Sequence, residues 1–201
     1  NLSRAGELQR AGVQIVYGVK GLKTHAKIAL VIRNEDGLLK RYVHLGTGNY
    51  NESTSRLYTD VSYLTSLPAY GKDASLFLNA VTGRSKLTRC RKIIPAPTHM
   101  KPRLLELIAA EAKRAKNGET AKITAKINSL QDKEIIEALY KAAKQGVIIR
   151  LNIRGICCLK TGKRKEAKNI EVVSIIDRYL EHARIFSFHH GGRPLVYIAS
   201  A

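Results

Sequence analysis

One pattern of residues occurs twice along this chain of 201 residues. Each copy runs from a helical segment through a Gly-Val pair into an apolar strand, as in AGVQIVY and QGVIIRLNIRG. Each then continues through a loop to a histidine that stands two residues before a cation. Strands that alternate with helices in this way predict an α/β fold of two domains, each a mixed β-sheet flanked by helices.

The boundary between the two halves is predicted in a stretch of low periodicity, residues 83–102, which holds Pro95 and Pro97 among basic residues. We assign residues 1–92 to the first domain and 93–201 to the second. The chain starts without Met and stops within LVYIASA, so both domains are expected to be truncated pieces. Periodicity and turn residues predict helices over 2–11, 72–81, 102–116 and 133–144, and strands over 13–17, 26–33, 39–45, 61–65, 121–127, 147–153, 170–176, 184–188 and 195–199.

The two histidine–cation pairs are His25-Ala26-Lys27 and His182-Ala183-Arg184. Both are predicted to lie on β-strands, where alternate side chains point to one face, so imidazole and cation lie side by side. An imidazole beside a fixed positive charge can attack a phosphorus centre, or carry protons to it, while the cation neutralises phosphate oxygens. The repeat therefore predicts one phosphate-handling site built from both halves, at the domain interface. The alternative is a strand histidine that simply bonds a backbone carbonyl.

The charge of the chain agrees with a phosphate-rich partner. Its 35 Lys and Arg against 16 Asp and Glu give a formal net charge of +19, which implies nucleic acid, an anionic membrane surface, nucleotides or phosphate chains. Cys157 and Cys158 lie in an apolar run and are predicted to be buried free thiols of a reducing compartment. No apolar stretch approaches the about 18 residues that span a bilayer, so a cytoplasmic setting is expected, with a basic surface that could touch a membrane.

Further candidate residues surround the first pair or its counterpart. Lys27 and Arg184 are predicted phosphate clamps, and Asn49 joins them because the Gly-Thr-Gly-Asn turn offers backbone and side-chain donors to an anion. Arg154 could grip a phosphate with its planar fork of donors, or be a surface arginine. Tyr58 could stack on a base or merely pack.

Longer motifs give a resemblance to a known family. GLKTHAKIALVIR, RYVHLGTGNYNESTSRLYTDVSYLT, LNIRGICCL and IIDRYLEHARIFSF closely resemble the C-terminal catalytic half of bacterial polyphosphate kinase, in order and spacing over essentially the whole chain. The His-x-Lys…Gly-Thr-Gly-Asn pattern also resembles the wider phospholipase D superfamily, whose fold such kinase domains share. Its phosphodiesterases usually carry an Asp several residues after the Lys, where this chain has IALVIR.

The resemblance implies reversible transfer of the ATP γ-phosphate to inorganic polyphosphate through a phosphohistidine. Carried over by position, His25 matches the phosphorylated histidine, and Tyr58, Arg154 and His182 match nucleotide-binding residues, with His182 facing His25 as its partner. The implied partners are ATP or ADP and polyphosphate, with no nucleic acid expected. The family also implies Mg²⁺, whose ligands would lie outside this segment, a homo-oligomer in the full-length enzyme, and peripheral membrane contact.

Two other functions stay open from the sequence. One is a phospholipase D-like phosphodiesterase, against which the missing Asp argues. The other is a non-catalytic basic module that binds nucleic acid, with steeply salt-dependent affinity. As a fragment of the kinase, the isolated chain is expected to be inactive.

Overall fold

The structure, a computed structural model, describes residues 4–162 and 165–200. Its helices and strands lie in two groups on either side of an irregular segment that follows Val81. In chain order they are α1 (Ala5–Arg10), β1 (Lys27–Glu35), β2 (Leu38–Gly46), α2 (Glu52–Ser55), β3 (Tyr58–Thr59), β4 (Ser62–Thr65), α3 (Pro68–Val81), α4 (Met100–Lys116), β5 (Lys122–Ile127), α5 (Lys133–Lys144), β6 (Ile148–Ile153), β7 (Ile170–Val173), β8 (Leu180–Glu181), β9 (Arg184–Phe188) and β10 (Leu195–Ala199).

A β-hairpin organises the first domain. Strands β1 and β2 pair antiparallel, from Lys27 opposite Gly46 to Glu35 opposite Leu38, and β4 adds to the free edge of β2. The connecting residues Asp36 and Gly37 both have positive φ, 53° and 79°, as the tight turn of a two-residue hairpin requires. Helix α3 packs on this sheet. The predicted turn and both of its strands are confirmed.

The second domain is a mixed five-stranded sheet in the order β10-β9-β5-β6-β7. Strands β5, β6 and β7 are parallel, whereas β9 runs antiparallel to β5 and β10 antiparallel to β9. Helices α4 and α5 pack against each other and against the sheet. The Asp132 side chain accepts a hydrogen bond from the Ile135 N–H and so caps α5 where the sequence predicts its start. The predicted α/β class, with sheets flanked by helices, is confirmed.

The main hydrophobic core belongs to this second domain. Its buried centre is formed by apolar side chains of α4, α5 and the sheet, among them Leu107, Leu139, Ile149, Leu151 and Phe188. In the described part of the first domain, the buried apolar side chains are Ala5, Val43 and Ala74. Most of the buried apolar side chains in the described part of the chain thus belong to the second domain.

Several local predictions are wrong. Residues 13–17 form no strand, and β1, predicted to be buried, is mostly exposed. Within the residues described, no strand pairs with the outer edge of β1, so residues 13–17 join no ladder there. Cys157 and Cys158 are exposed rather than buried, because the apolar run that contains them continues beyond the end of β6 into a surface loop. The predicted start of the first helix, at Leu2, lies outside the described residues.

The segment between α3 and α4 is irregular, and a buried carboxylate holds it in place. Asp73 of α3 is 1% exposed and accepts the main-chain N–H groups of Lys92 and Ile93, at 2.5 and 3.0 Å. A buried carboxylate needs such partners, so this contact fixes the linker against the first domain.

In the parts of the chain described, no helix is long and apolar enough to cross a membrane.

Candidate active site

The two histidines occupy equivalent places in the two domains, just before a strand rather than within it. His25 lies two residues before the first residue of β1, and His182 lies two residues before the first residue of β9. The cation of each pair, Lys27 or Arg184, is the first residue of its strand. The expected placement on strands is therefore wrong by two residues, because each ladder begins only at the cation. The pairing of histidine with cation nevertheless holds, as the side-chain contacts show.

Lys27 is buried against its histidine. Lys27 is only 7% exposed, and its Nζ lies 2.7 Å from the main-chain oxygen of His25. The same Nζ lies 2.9 Å from Nδ1 and 3.2 Å from Nε2 of the His25 ring. The ring in turn reaches the second domain, where its Nδ1 lies 2.5 Å from the main-chain oxygen of Ser200. His25 is thus held between a lysine of its own domain and a carbonyl of the other.

This environment lowers the pKa of His25 below its ordinary value. Burial is the largest cause, and the charge of Lys27 is the next; the hydrogen bond to Ser200 acts in the opposite direction. Arg184 and Lys23 lower the pKa further. A histidine with a lowered pKa stays neutral at neutral pH and keeps a lone pair available for attack.

His182 is held by a carboxylate instead. Its Nδ1 lies 2.8 Å from Oδ1 of Asp60, and its ring lies against Tyr58 with the centroids 4.9 Å apart. Asp60 also accepts a hydrogen bond of 2.8 Å from the hydroxyl of Thr47, which is fully buried. A Cβ placed on Gly48 would lie 2.3 Å from the carboxylate, so only glycine leaves room for Asp60 here. The Gly-Thr-Gly-Asn turn therefore positions Asp60.

Arg184 repeats the contact that Lys27 makes. It is 9% exposed, and its Nη1 donates to the main-chain oxygen of its own histidine, His182, at 3.1 Å. Burial lowers the pKa of Arg184, and the charge of Arg154 lowers it further, which places two guanidinium groups within electrostatic range of each other. Among the residues that the structure describes, the buried Nε of Arg154 has no hydrogen-bond partner. Excess positive charge with an unpaired donor is typical of a site for an anion.

A short parallel ladder joins the two halves of this site. Strand β3 pairs with β8, so that Tyr58 stands opposite Leu180 and Thr59 opposite Glu181. The main-chain N–H of Ala183 also donates to the Thr59 oxygen, at 3.0 Å. Beneath the ladder, Lys126 of β5 forms an ion pair with Glu181. These bonds fix Tyr58 and Asp60, from the first domain, beside His182 of the second.

The structure brings together most of the residues that the sequence singled out. His25, Lys27 and Arg184 interact with one another, and Tyr58 and His182 are in contact, with Arg154 close enough to affect Arg184. Asn49 is different: it is exposed, and its main-chain oxygen accepts from the Asn51 N–H at 2.8 Å. Its role as a phosphate clamp stays a prediction.

Sequence reasoning missed two contributors, namely Asp60 and Ser200. Asp60 carried a weak signal, as a carboxylate two residues after Tyr58 in a strongly basic chain. Thr47, the threonine of the Gly-Thr-Gly-Asn turn, is predicted to donate to a bound anion, whereas its hydroxyl donates to the carboxylate of Asp60. Ser200 contributes a main-chain oxygen from a residue 175 positions away from His25, and no side-chain pattern can reveal such a contact.

The site does not offer a ready-made metal centre. Within residues 4–162 and 165–200, no group of three or more His, Cys, Asp or Glu side chains is placed to hold a metal ion. The one carboxylate bonded to His182, that of Asp60, is already occupied by that ring and by Thr47. The side chains around the site are mainly cations and imidazoles, which suit an anion rather than Mg²⁺.

Comparison with known proteins covers both domains. Residues 1–87 match the family described as polyphosphate kinase C-terminal domain 1, and residues 93–201 match polyphosphate kinase C-terminal domain 2. The whole chain is 49% identical to part of the polyphosphate kinase of Rhodopirellula baltica and 48% identical to part of that of Synechocystis, covering 24% and 28% of those proteins. It also superposes, over 100% of its length, on 33% of the crystal structure of polyphosphate kinase from Porphyromonas gingivalis, with a TM-score of 0.91 and 37% sequence identity. The chain thus spans about a quarter to a third of the length of these relatives.

Proposed function

The chain belongs to the polyphosphate kinase family, and on that premise we propose that it carries the phosphoryl-transfer centre of such a kinase. In this proposal, His25 takes the γ-phosphoryl group of ATP and passes it to the end of an inorganic polyphosphate chain, in a reversible reaction. The active protein is the longer polypeptide that contains this chain. The observation that carries the proposal is an imidazole that contacts a buried lysine, with its pKa lowered by burial and by that lysine, close to Arg184 and Arg154.

The first step is attack by His25 on the γ-phosphorus. A ring nitrogen of His25 forms a bond to phosphorus while the bond from phosphorus to the bridging oxygen breaks and ADP leaves with that electron pair. Lys27 and Arg184 lie where they can neutralise the equatorial phosphate oxygens, on which charge is spread in the transition state. Each contact of this kind contributes about 4 kcal/mol at 4 Å and an effective dielectric constant near 20. In the second step, an oxygen of the polymer's terminal phosphate forms a bond to that phosphorus while the nitrogen–phosphorus bond breaks, and the imidazole of His25 leaves with the electron pair.

The nucleotide is assigned to the group around His182. Tyr58 offers an aromatic face for the base, and the free Nε of Arg154 offers a donor to a phosphate. Asp60 accepts the Nδ1–H of His182 and so orients the ring, which leaves Nε2 to donate a proton to the departing oxygen of ADP or to hold it by a hydrogen bond. His182 thus serves as an acid and His25 as a nucleophile, because their Nδ1 partners differ.

Mg²⁺ is proposed only as the companion of the ATP phosphates. It would supply further neutralisation of the phosphate oxygens when bound. The described residues do not form a set of ligands for it, so we derive no step through the metal.

The proposal is tested by labelling. A full-length protein that contains this chain, incubated with ATP labelled in the γ-phosphate, should become labelled in a form that is labile in acid and stable in base, as expected for phosphohistidine. Addition of unlabelled polyphosphate should move the label into polymer, and addition of ADP should return it to ATP. Protein that makes labelled polymer without ever carrying the label would contradict the covalent step.

The two alternative functions predict different results. A phosphodiesterase would cleave a phosphodiester in the absence of ATP, and a nucleic-acid module would bind polymer with an affinity indifferent to His25 and His182. The family match favours the kinase over both. Cleavage of a model phosphodiester at a rate that matches ATP turnover would reverse that preference.

Substitution of Lys27 tests the cation beside the nucleophile. We expect Lys27→Met to slow phosphoenzyme formation by about 10²- to 10³-fold, the usual effect of removing one preorganised charged donor. Because Lys27 is the second largest cause of the lowered His25 pKa, its loss should raise that pKa. The acid limb of the pH–rate profile should then move to higher pH, since His25 must be neutral to attack.

Lys27→Arg, which keeps the charge, should recover part of the rate and leave the acid limb near its original position. Lys20→Met removes an exposed lysine of the loop before His25 and serves as the matched control. An acid limb that stays in place, or moves to lower pH, in Lys27→Met would show that Lys27 does not act on the ring.

A further inference from the structure

The threonine of the Gly-Thr-Gly-Asn turn is closed off from solvent. Thr47 is 0% exposed, and its Oγ1 lies 2.8 Å from Oδ1 of Asp60 and 3.0 Å from the main-chain nitrogen of Val61. A buried hydroxyl must satisfy its donor and its acceptor capacity within the protein. The neighbours of Thr47 therefore decide what its hydroxyl does.

The direction of the hydroxyl proton follows from these contacts. The Val61 N–H can only donate, so Oγ1 of Thr47 accepts that bond. The proton of the hydroxyl is then left for an oxygen, and Oδ1 of Asp60 at 2.8 Å is nearer than the main-chain oxygen of Val61 at 3.4 Å. That main-chain oxygen already accepts the Thr47 N–H at 3.0 Å. Because hydrogen bonds to a carboxylate are also the stronger ones, Thr47 donates to Asp60.

The carboxylate of Asp60 is confined from a second side and in turn meets His182. The same Oδ1 that accepts from Thr47 lies 2.8 Å from Nδ1 of the His182 ring. The other oxygen, Oδ2, is packed so closely on Gly48 that a Cβ there would clash with it. With one oxygen oriented by a hydroxyl and the other confined by the backbone, the carboxylate is held in one orientation toward the ring.

We propose that Thr47 is a positioning residue for His182, which it orients by holding the carboxylate that accepts the Nδ1–H of the ring. The inference rests on the proposed function, in which Nε2 of His182 faces the departing oxygen of ADP. It gives the turn a role other than the anion cradle that its sequence predicts. A threonine of the first domain, through Asp60, orients a histidine of the second.

The position of the ring matters because the two nitrogens lie on opposite sides of it. A tilt of the ring about its contact with Asp60 moves Nε2 relative to the substrate. A general acid has to lie within hydrogen-bond reach of the atom that receives its proton, and a displacement of about 1 Å can cost about 10²-fold in rate. A looser Asp60 therefore slows the step that His182 assists, without removing a group that binds ATP.

The test measures single-turnover labelling by γ-labelled ATP, at saturating ATP, in the full-length protein that contains this chain. Thr47→Val keeps the shape of the side chain and removes the hydroxyl, whereas Thr47→Ser keeps the hydroxyl. Gly48→Ala presses on Asp60 and leaves the Thr47 hydroxyl in place, so it tests the same role by a second route if Thr47→Val does not fold. Thr82→Val removes a hydroxyl that donates to the main-chain oxygen of Leu78 at the end of α3, and it is the matched control.

We expect Thr47→Val and Gly48→Ala each to slow labelling about tenfold, the low end of the effect of groups that orient a reacting side chain. Thr47→Ser and Thr82→Val should stay within about twofold of the unsubstituted protein. The decisive comparison repeats Thr47→Val and Gly48→Ala in the His182→Gln background. If Thr47 acts through His182, the further loss there should shrink to about twofold or less.

A loss in the His182→Gln background as large as in the unsubstituted protein would show that Thr47 supports the fold or His25 instead, and would overturn the inference. An unchanged rate in both variants would also overturn it. So would a weaker affinity for ATP with an unchanged rate at saturation, because the hydroxyl would then be a substrate contact. These results leave the proposed function in place, since the unsubstituted protein still becomes labelled. Absence of label from the unsubstituted protein would overturn the proposed function, and the inference with it.

Discussion

With His25 replaced by Gln, a full-length protein that contains this chain is expected to form no acid-labile phosphoenzyme. Polyphosphate synthesis should fall by on the order of 10⁴-fold or more, the scale found when a covalent nucleophile is removed. Gln keeps the size and polarity of the side chain but has no lone pair of comparable basicity to attack phosphorus. Label incorporation and polymer formation, measured on the same preparation, provide the two readouts.

His99→Gln is the matched control. His99 lies at the start of α4 in the second domain, where its Nδ1 bonds the hydroxyl of Thr98, and it makes no described contact with the residues of the site. This variant should label and polymerise as the original protein does. Label that survives His25→Gln, or that is lost equally in His99→Gln, would remove His25 from its proposed role.

The second large effect is expected at His182. His182→Gln should lower the rate of ADP release and phosphoenzyme formation by about 10²- to 10⁴-fold, the usual contribution of a positioned acid or base. Unlike the first variant, it should still accumulate label on His25, slowly. Asp60→Asn keeps a hydrogen-bond acceptor for Nδ1 but removes the negative charge beside the ring, so a smaller loss of about 10- to 100-fold is expected, by analogy with other groups that orient a reacting side chain.

Asp36→Asn removes a carboxylate at the tip of the β1–β2 hairpin, where Asn tolerates the positive φ of 53°, and controls for the change in net charge. Single-turnover labelling with each variant separates the steps, because loss of an acid slows chemistry whereas loss of a binding contact weakens ATP affinity. If His182→Gln changed only the affinity for ATP, with an unchanged rate at saturation, the acid role would be wrong. A complete absence of label in this variant would also contradict the assignment of the nucleophile to His25 alone.

Local sequence patterns predicted much of the second domain and little of the packing of the first. The segment 133–144 has an Asp cap, helical spacing and a closing Gly146, and it folds as predicted. Residues 13–17 have equally good strand periodicity but form no strand. A helix bonds within itself, whereas a strand exists only with a neighbour, and a sequence window does not contain that neighbour.

The same distinction explains which site residues could be found. His25 and Lys27 are two residues apart, so their contact is a property of the local chain, and the repeat at His182 and Arg184 made it visible twice. Asp60 meets His182 across 122 residues, and the Ser200 carbonyl meets His25 across 175. Those contacts depend on the docking of two sheets, and they make the surroundings of the two histidines different.

The pairing of β3 with β8 brings the residues of this centre together during folding. The entropic cost of assembling them is therefore incurred at that stage. The β3–β8 ladder joins segments about 120 residues apart, and the free-energy cost of closing so long a loop grows only with the logarithm of its length. That cost is met once, during folding, by main-chain bonds that a substrate does not have to form. In the proposed reaction, ATP would encounter His25 and His182 as a preassembled pair, and its binding energy would remain available for orienting the γ-phosphate toward in-line attack. In kinetic terms, the ladder would raise the effective molarity of the proposed reacting groups.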